Sequence, residues 1–117
     1  MPCLNIFTNI AKSQIPQNLV SKIIPVLVKG VKKPPENFIC VVNADCFLNM
    51  KEDPVAPGIV ATLESIGHLG PEENDIIVKE LAKFFEKELG VQPSRFFLTF
   101  YDLEKHNVAI NASTIKG

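Results

Sequence analysis

Pro35-Glu36-Asn37-Phe38 and Pro93-Ser94-Arg95-Phe96 stand 58 residues apart, half the length of this 117-residue chain. Each proline leads, three residues later, into an apolar, β-prone run: "FICVV" in the first half and "FFLTF" in the second. A repeat of that length restricts the chain to folds made of two similar units. The segments ahead of the two prolines agree. Leu4, Ile6 and Thr8 alternate with Cys3, Asn5 and Phe7, as in a strand with two different faces. Ile15, Leu19, Ile23, Leu27 and Val31 then recur at four-residue spacing, one stripe of an amphipathic helix. Ser13 is the expected N-cap and Pro16 the expected first-turn proline. Pro25 falls inside that helix, where proline costs about 3 kcal/mol, so a kink near Ser21 to Pro25 or a break into two helices is expected.

The pattern restarts at residues 59 to 66, a second strand, followed by the helix "GPEENDIIVKELAKFFEKELG". Its punctuation is complete: Pro71 in the first turn, Glu72, Glu73 and Asp75 at the positive end of the dipole, and Gly90 beyond the last turn. Ile77, Leu81, Phe84, Phe85 and Leu89 form its apolar side. Two strand-helix-strand units, about 2–45 and 58–102, predict a single α+β domain with a four-stranded sheet carrying two helices on one face. So short a chain holds no third layer. The bare face is expected to pack against copies of the same chain in a closed oligomer, with the tail 107–117 pairing as a short extra strand with a neighbour's edge.

Composition narrows the function classes. Twelve basic residues against thirteen acidic ones, a net charge of −1, leave no field to attract nucleic acid or an anionic membrane. No run is apolar and long enough to insert in a bilayer, and no basic start precedes an apolar core as in a signal peptide. Cys3, Cys40 and Cys46 are odd in number and lack C-x-x-C spacing, which fits reduced packing residues. The sequon at Asn111 is therefore expected to be incidental. His68 and His106 have no ligand spacing around them, Gly67 and Gly70 form no phosphate loop, and Glu52-Asp53 is expected to be a solvated loop.

Four short pieces combine with the duplication: Met1-Pro2 ahead of a strand, "KPP" at 33–35, "SIG" at 65–67 and "NVAINAST" at 107–114. Together they make the chain resemble, over essentially its whole length, the macrophage migration inhibitory factor and D-dopachrome tautomerase family of the tautomerase superfamily. The resemblance implies a homotrimer whose three sheets form a barrel, with an active site at each subunit boundary. It further implies a cofactor-independent tautomerase for phenylpyruvate- and dopachrome-type keto acids. In that reading the initiator methionine is removed and Pro2 is the catalytic base, Lys33 binds the substrate's carboxylate, and Ile66 binds substrate through its backbone. Phe38, Phe97, Thr99 and Ile110 shape the pocket. Phe97 and Phe38 stand where family members often have tyrosine, Thr99 replaces an asparagine and Ile110 a tryptophan, so the expected pocket is apolar and poor in donors. The family's C-x-x-C segment is absent, "VAPGIV" standing in its place. The resemblance also implies a cytokine-like role, in which the trimer engages a cell-surface receptor after leaving the cytoplasm by a non-classical route.

Overall fold

The computed structural model describes residues 1–116. The first half folds as β1 (Cys3–Thr8), α1 (Leu19–Gly30) and β2 (Ile39–Asn43), the second as β3 (Ile59–Ser65), α2 (Pro71–Leu89) and β4 (Phe96–Asp102). Within each half the two strands are parallel, as a helical crossover requires, and β1 pairs antiparallel with β3 at the centre. The sheet order is β2-β1-β3-β4, so the expected α+β architecture is present. Both proline echoes are single 3-10 turns, Pro35–Asn37 and Pro93–Arg95.

Alternation sorts the sheet into two faces. Leu4 and Ile6 of β1 and Ile59, Ala61 and Leu63 of β3 are fully buried under the helices. The helices meet them with Leu19, Ile23 and Leu27 from α1 and Ile77, Leu81 and Phe85 from α2, three pairs each separated by the same 58 residues as the prolines. Phe85 sets its ring edge-to-face against Phe84 and Phe96, with centroids 5.7 and 5.0 Å away. On the opposite face Phe7, Ile39, Val41, Phe97 and Tyr101 are each 40–60% exposed, so that side of the sheet has no cover within the chain.

Two expectations for α1 need correction. The helix begins at Leu19, after Asn18, and Ser13 lies in a separate 3-10 turn, Lys12–Gln14. The cause is Pro16, which drives the preceding Ile15 into extended backbone (φ −96°, ψ 124°) and stops any helix from running through it. Pro25 does not split α1, which continues unbroken to Gly30 with the pyrrolidine ring on its exposed side. In α2, by contrast, the punctuation lies where the sequence puts it. Pro71 opens the helix, and Gly90 closes it in left-handed backbone (φ 68°), donating its N–H to Glu86 at 3.1 Å.

The halves are joined through residues 44–58, and Arg95 makes the largest set of side-chain bonds to that segment, beside those of Thr8 and Asn9. Arg95 is 7% exposed and donates from Nε to Pro57 O (3.0 Å), from Nη1 to Met50 O (2.8 Å), and from Nη2 to Asp53 O (3.2 Å) and Ala56 O (2.7 Å). Asp53 is more than a solvated acid. Its carboxylate accepts from the N–H groups of Val55 (2.8 Å) and Ala56 (3.1 Å), and these bonds, helped by Arg95, hold its carboxyl below the usual range.

Within the chain, the tail forms a short ladder of its own. β5 (Ala109–Ile110) and β6 (Ser113–Thr114) pair with each other in a small hairpin. Its two turn residues, Asn111 and Ala112, have φ of 56° and 59°, the positive values that a two-residue type I′ connection demands.

Candidate functional site

Pro2 sits immediately ahead of β1 and is buried. Its carbonyl accepts the Ile39 N–H at 2.9 Å, extending the β1–β2 ladder by one step, while its own missing N–H leaves no gap in the sheet. The Cys3–Ile39 register places Phe38 beside Pro2, and Phe38 packs half-buried against the core. Lys33 arrives from the turn after α1 and donates from Nζ to the Ile66 carbonyl at 3.2 Å. That bond spans the two halves and holds an ammonium beside the end of β3. The first amine of the chain, on Met1, is consequently pushed below its ordinary value, by burial first and by the Lys33 charge second.

A cavity of about 270 Å³ opens beside this amine. Met1, Cys3, Ile39 and Glu64 line it from the sheet, and Leu103, Asn107, Val108, Ala109 and Ile110 line it from the tail. Cys3 and Glu64 are direct cross-strand partners, and the Cys3 thiol is pushed up by burial and, to a lesser degree, by the Glu64 carboxylate. A larger open groove of about 770 Å³, lined by residues such as Lys12, Ile15, Leu19, Val42 and Asp45, contains none of the expected site residues. The smaller cavity, which holds the perturbed amine, is the candidate site.

Of the expected residues, Ile110 lines this cavity. Lys33 and Ile66 are bonded to each other, and Pro2 lies beside Phe38 at the start of the β1–β2 pair; these four are not among its lining residues. Phe97 and Thr99 do not join them within one chain. Glu64 at the cavity pairs with Tyr101, whereas Thr99 and Phe97 lie two and four residues back along β4, opposite Thr62 and Val60. Four strand residues span about 13 Å, so Phe97 stands at the far end of the sheet from Pro2. Both side chains lie on the uncovered face. Sequence reasoning missed Glu64, although the alternation of "IVATLES" places it on the same face as Cys3.

An amine held below its usual pKa, beside a cation and against apolar walls, is equipped to take a proton from carbon next to a carbonyl. Among the described residues, no group of three or more His, Cys, Asp or Glu side chains is placed to hold a metal ion, and no helix is long and apolar enough to cross a membrane.

The family model described as macrophage migration inhibitory factor (MIF) matches residues 1–116. The chain is 32% identical to the macrophage migration inhibitory factor of Xenopus laevis over 114 residues, covering 97% of this chain and 98% of that one. It is 33% identical to the macrophage migration inhibitory factor homolog of Brugia malayi over 117 residues, with the same coverage. Among solved structures, the macrophage migration inhibitory factor from Trichinella spiralis superposes with a TM-score of 0.91 at 24% identity, covering 96% of this chain and 98% of that chain. At that identity the superposition speaks for the fold.

Proposed function

The chain belongs to the macrophage migration inhibitory factor family, and we propose that it is a cofactor-independent keto–enol tautomerase acting on phenylpyruvate- and dopachrome-type substrates. What supports this reading is the Lys33 ammonium, bonded to Ile66 at the end of β3, near the start of the chain, where burial first and the Lys33 charge second push the Met1 amine below its ordinary value. Removal of Met1 makes the Pro2 nitrogen the terminal amine, about 3.8 Å further into the fold and on a buried residue. In the reaction this amine takes the proton from the carbon beside the substrate's carbonyl. The C–H electron pair becomes the carbon–carbon double bond, and the carbonyl π pair moves onto oxygen. That oxygen takes a proton from water or from the protonated amine to give the enol, and the amine returns to its free form by losing its proton. Lys33 spends one donor on Ile66 and keeps two for the substrate's carboxylate and the developing oxyanion.

In this reading the pocket is completed in a homotrimer. Phe97 and Thr99 of one copy close the site around Pro2 of the next, and the uncovered sheet faces line the barrel. The test is enolisation of phenylpyruvate by the intact protein and by Pro2→Gly. Loss of the base is expected to lower kcat/KM by about 10²-fold or more, and equal rates would defeat the proposal. The acid limb of the pH profile follows the amine. Lys33→Met removes one of the two influences that favour the unprotonated amine, burial being the other, so it is expected to move that limb to higher pH.

The relatives are named for inhibiting macrophage migration, which favours a second reading, a cytokine-like role; in that reading the chain engages a cell-surface receptor. Receptor binding that survives Pro2→Gly would separate signalling from catalysis.

A further inference from the structure

The peptide that joins Ile66 to Gly67 is gripped on its two sides by opposite charges. Its carbonyl accepts from Lys33 Nζ at 3.2 Å, and its N–H donates to Asp102 Oδ1 at 2.9 Å. Lys33 comes from the turn after α1 and Asp102 from the last position of β4, so this one peptide ties the first half of the chain to the end of the sheet. Packing does little to hold it. Gly67 has a φ of 72°, and a side chain placed there would meet no atom within 4 Å. A glycine in open space allows the peptide ahead of it to turn over, which would swing the Ile66 carbonyl away and aim an N–H at the Lys33 ammonium. The Asp102 carboxylate opposes that turn. The next peptide is pinned separately, by Ser65 Oγ donating to Gly67 O at 2.8 Å, and the Leu103 N–H keeps the end of β4 alongside by donating to Ser65 O at 2.8 Å.

We propose that Asp102 is a positioning residue that, by accepting from the Gly67 N–H, fixes the Ile66 carbonyl and through it the Lys33 ammonium. This rests on the tautomerase reading for the use made of that ammonium. Lysine has a long, rotamer-rich side chain, and without a fixed acceptor its charge spreads over many positions. With the carbonyl held, one of its three donors is engaged and the other two keep a set direction. The chain-terminal amine is lowered by burial and by Lys33, so a displaced lysine raises it. A carboxylate acting on that amine directly would favour the charged form, and its removal would lower the pKa instead. The two routes therefore carry opposite signs.

The test is a double-mutant cycle between Asp102 and Lys33. It is read by turnover of phenylpyruvate and, independently, by titration of the chain-terminal amine, followed as the rate of acetylation of the N-terminal peptide against pH. Asp102→Ala is expected to lower kcat/KM about fivefold in the wild-type background and by less than about twofold in Lys33→Met. Asp102→Asn keeps an acceptor for the Gly67 N–H and is expected to recover most of that loss. The amine's pKa is expected to rise in Asp102→Ala and in Lys33→Met, with no further rise when the two are combined. Asp102→Leu, close to aspartate in shape but without an acceptor, repeats the comparison should Asp102→Ala fail to fold. Wild-type kcat/KM in Asp102→Ala, an equal loss in the Lys33→Met background, Asp102→Asn as impaired as Asp102→Ala, or an unchanged or lowered amine pKa each overturns the inference. Absence of turnover in the wild type defeats the tautomerase reading, and the amine titration then decides the role of Asp102 by itself.

Discussion

Leu19, Ile23 and Leu27 in the first half and Ile77, Leu81 and Phe85 in the second occupy the same buried steps of their helices, yet α1 has 12 residues and α2 has 19. The apolar stripe was copied, and the punctuation was not. α2 opens on a proline and closes on a left-handed glycine, whereas α1 is delayed by Pro16, carries Pro25 in its body and ends at Val31 with no glycine cap. The same divergence marks the 3-10 turns. Asn37 and Arg95 are equivalent by the repeat, but Arg95 alone gathers four carbonyls of the segment joining the halves. The first half supplies Pro2, Lys33 and Phe38 to the candidate site. The second supplies the firmer scaffold, together with Ile66 and Glu64.

That contrast can be broken by exchange. Phe85→Ala is expected to cost about 4 kcal/mol and its counterpart Leu27→Ala about 3, because Phe85 loses two edge-to-face partners as well as its volume. Urea denaturation that ranks Leu27 above Phe85 would reverse the assignment of the firmer half. Arg95→Asn, which writes the first-half residue into the second, is expected to cost about 2 kcal/mol by removing a buried side chain and its hydrogen bonds to four carbonyls of the joining segment. The reciprocal Asn37→Arg should change stability by less than about 0.5 kcal/mol, since a surface arginine gains little. Gly90→Ala is expected to cost about 1 kcal/mol through its positive φ. Smallest is Pro25→Ala, a gain of about 0.5 kcal/mol in thermal or urea unfolding. The restored helical bond is partly cancelled because the unfolded chain becomes more flexible. A loss on Pro25→Ala would mean that α1 depends on its proline.

Much of the fold was legible because it was written twice. The 58-residue echo of Pro35 in Pro93 placed two 3-10 turns and two outer strands, and Pro71 and Gly90 marked the bounds of α2. The start of α1 was misread because Ser13 and Pro16 satisfy local capping rules, while the exclusion of helix at Ile15 comes from the residue after it. Arg95 gave no local sign of its work, since its partners lie 38 to 45 residues away. The tail hairpin was hidden because its turn is Asn111-Ala112, without the glycine that usually announces positive φ. Within the candidate site, the Lys33–Ile66 bond links two residues that the sequence names separately, whereas Phe97 and Thr99 require the register of β4 before their distance from Pro2 can be known.

The antiparallel pairing of β1 with β3 has a consequence for inheritance. Joining two like units in one chain gives each strand a twin, but it cannot twin a free amine. β3 is entered from the 44–58 segment, so the nitrogen ahead of it is locked in a peptide bond, and the chemistry proposed for Pro2 has no second copy. The later unit was thereby released from any duty toward that proton. Its counterpart positions carry other work, as the bonds of Arg95 to the joining segment show.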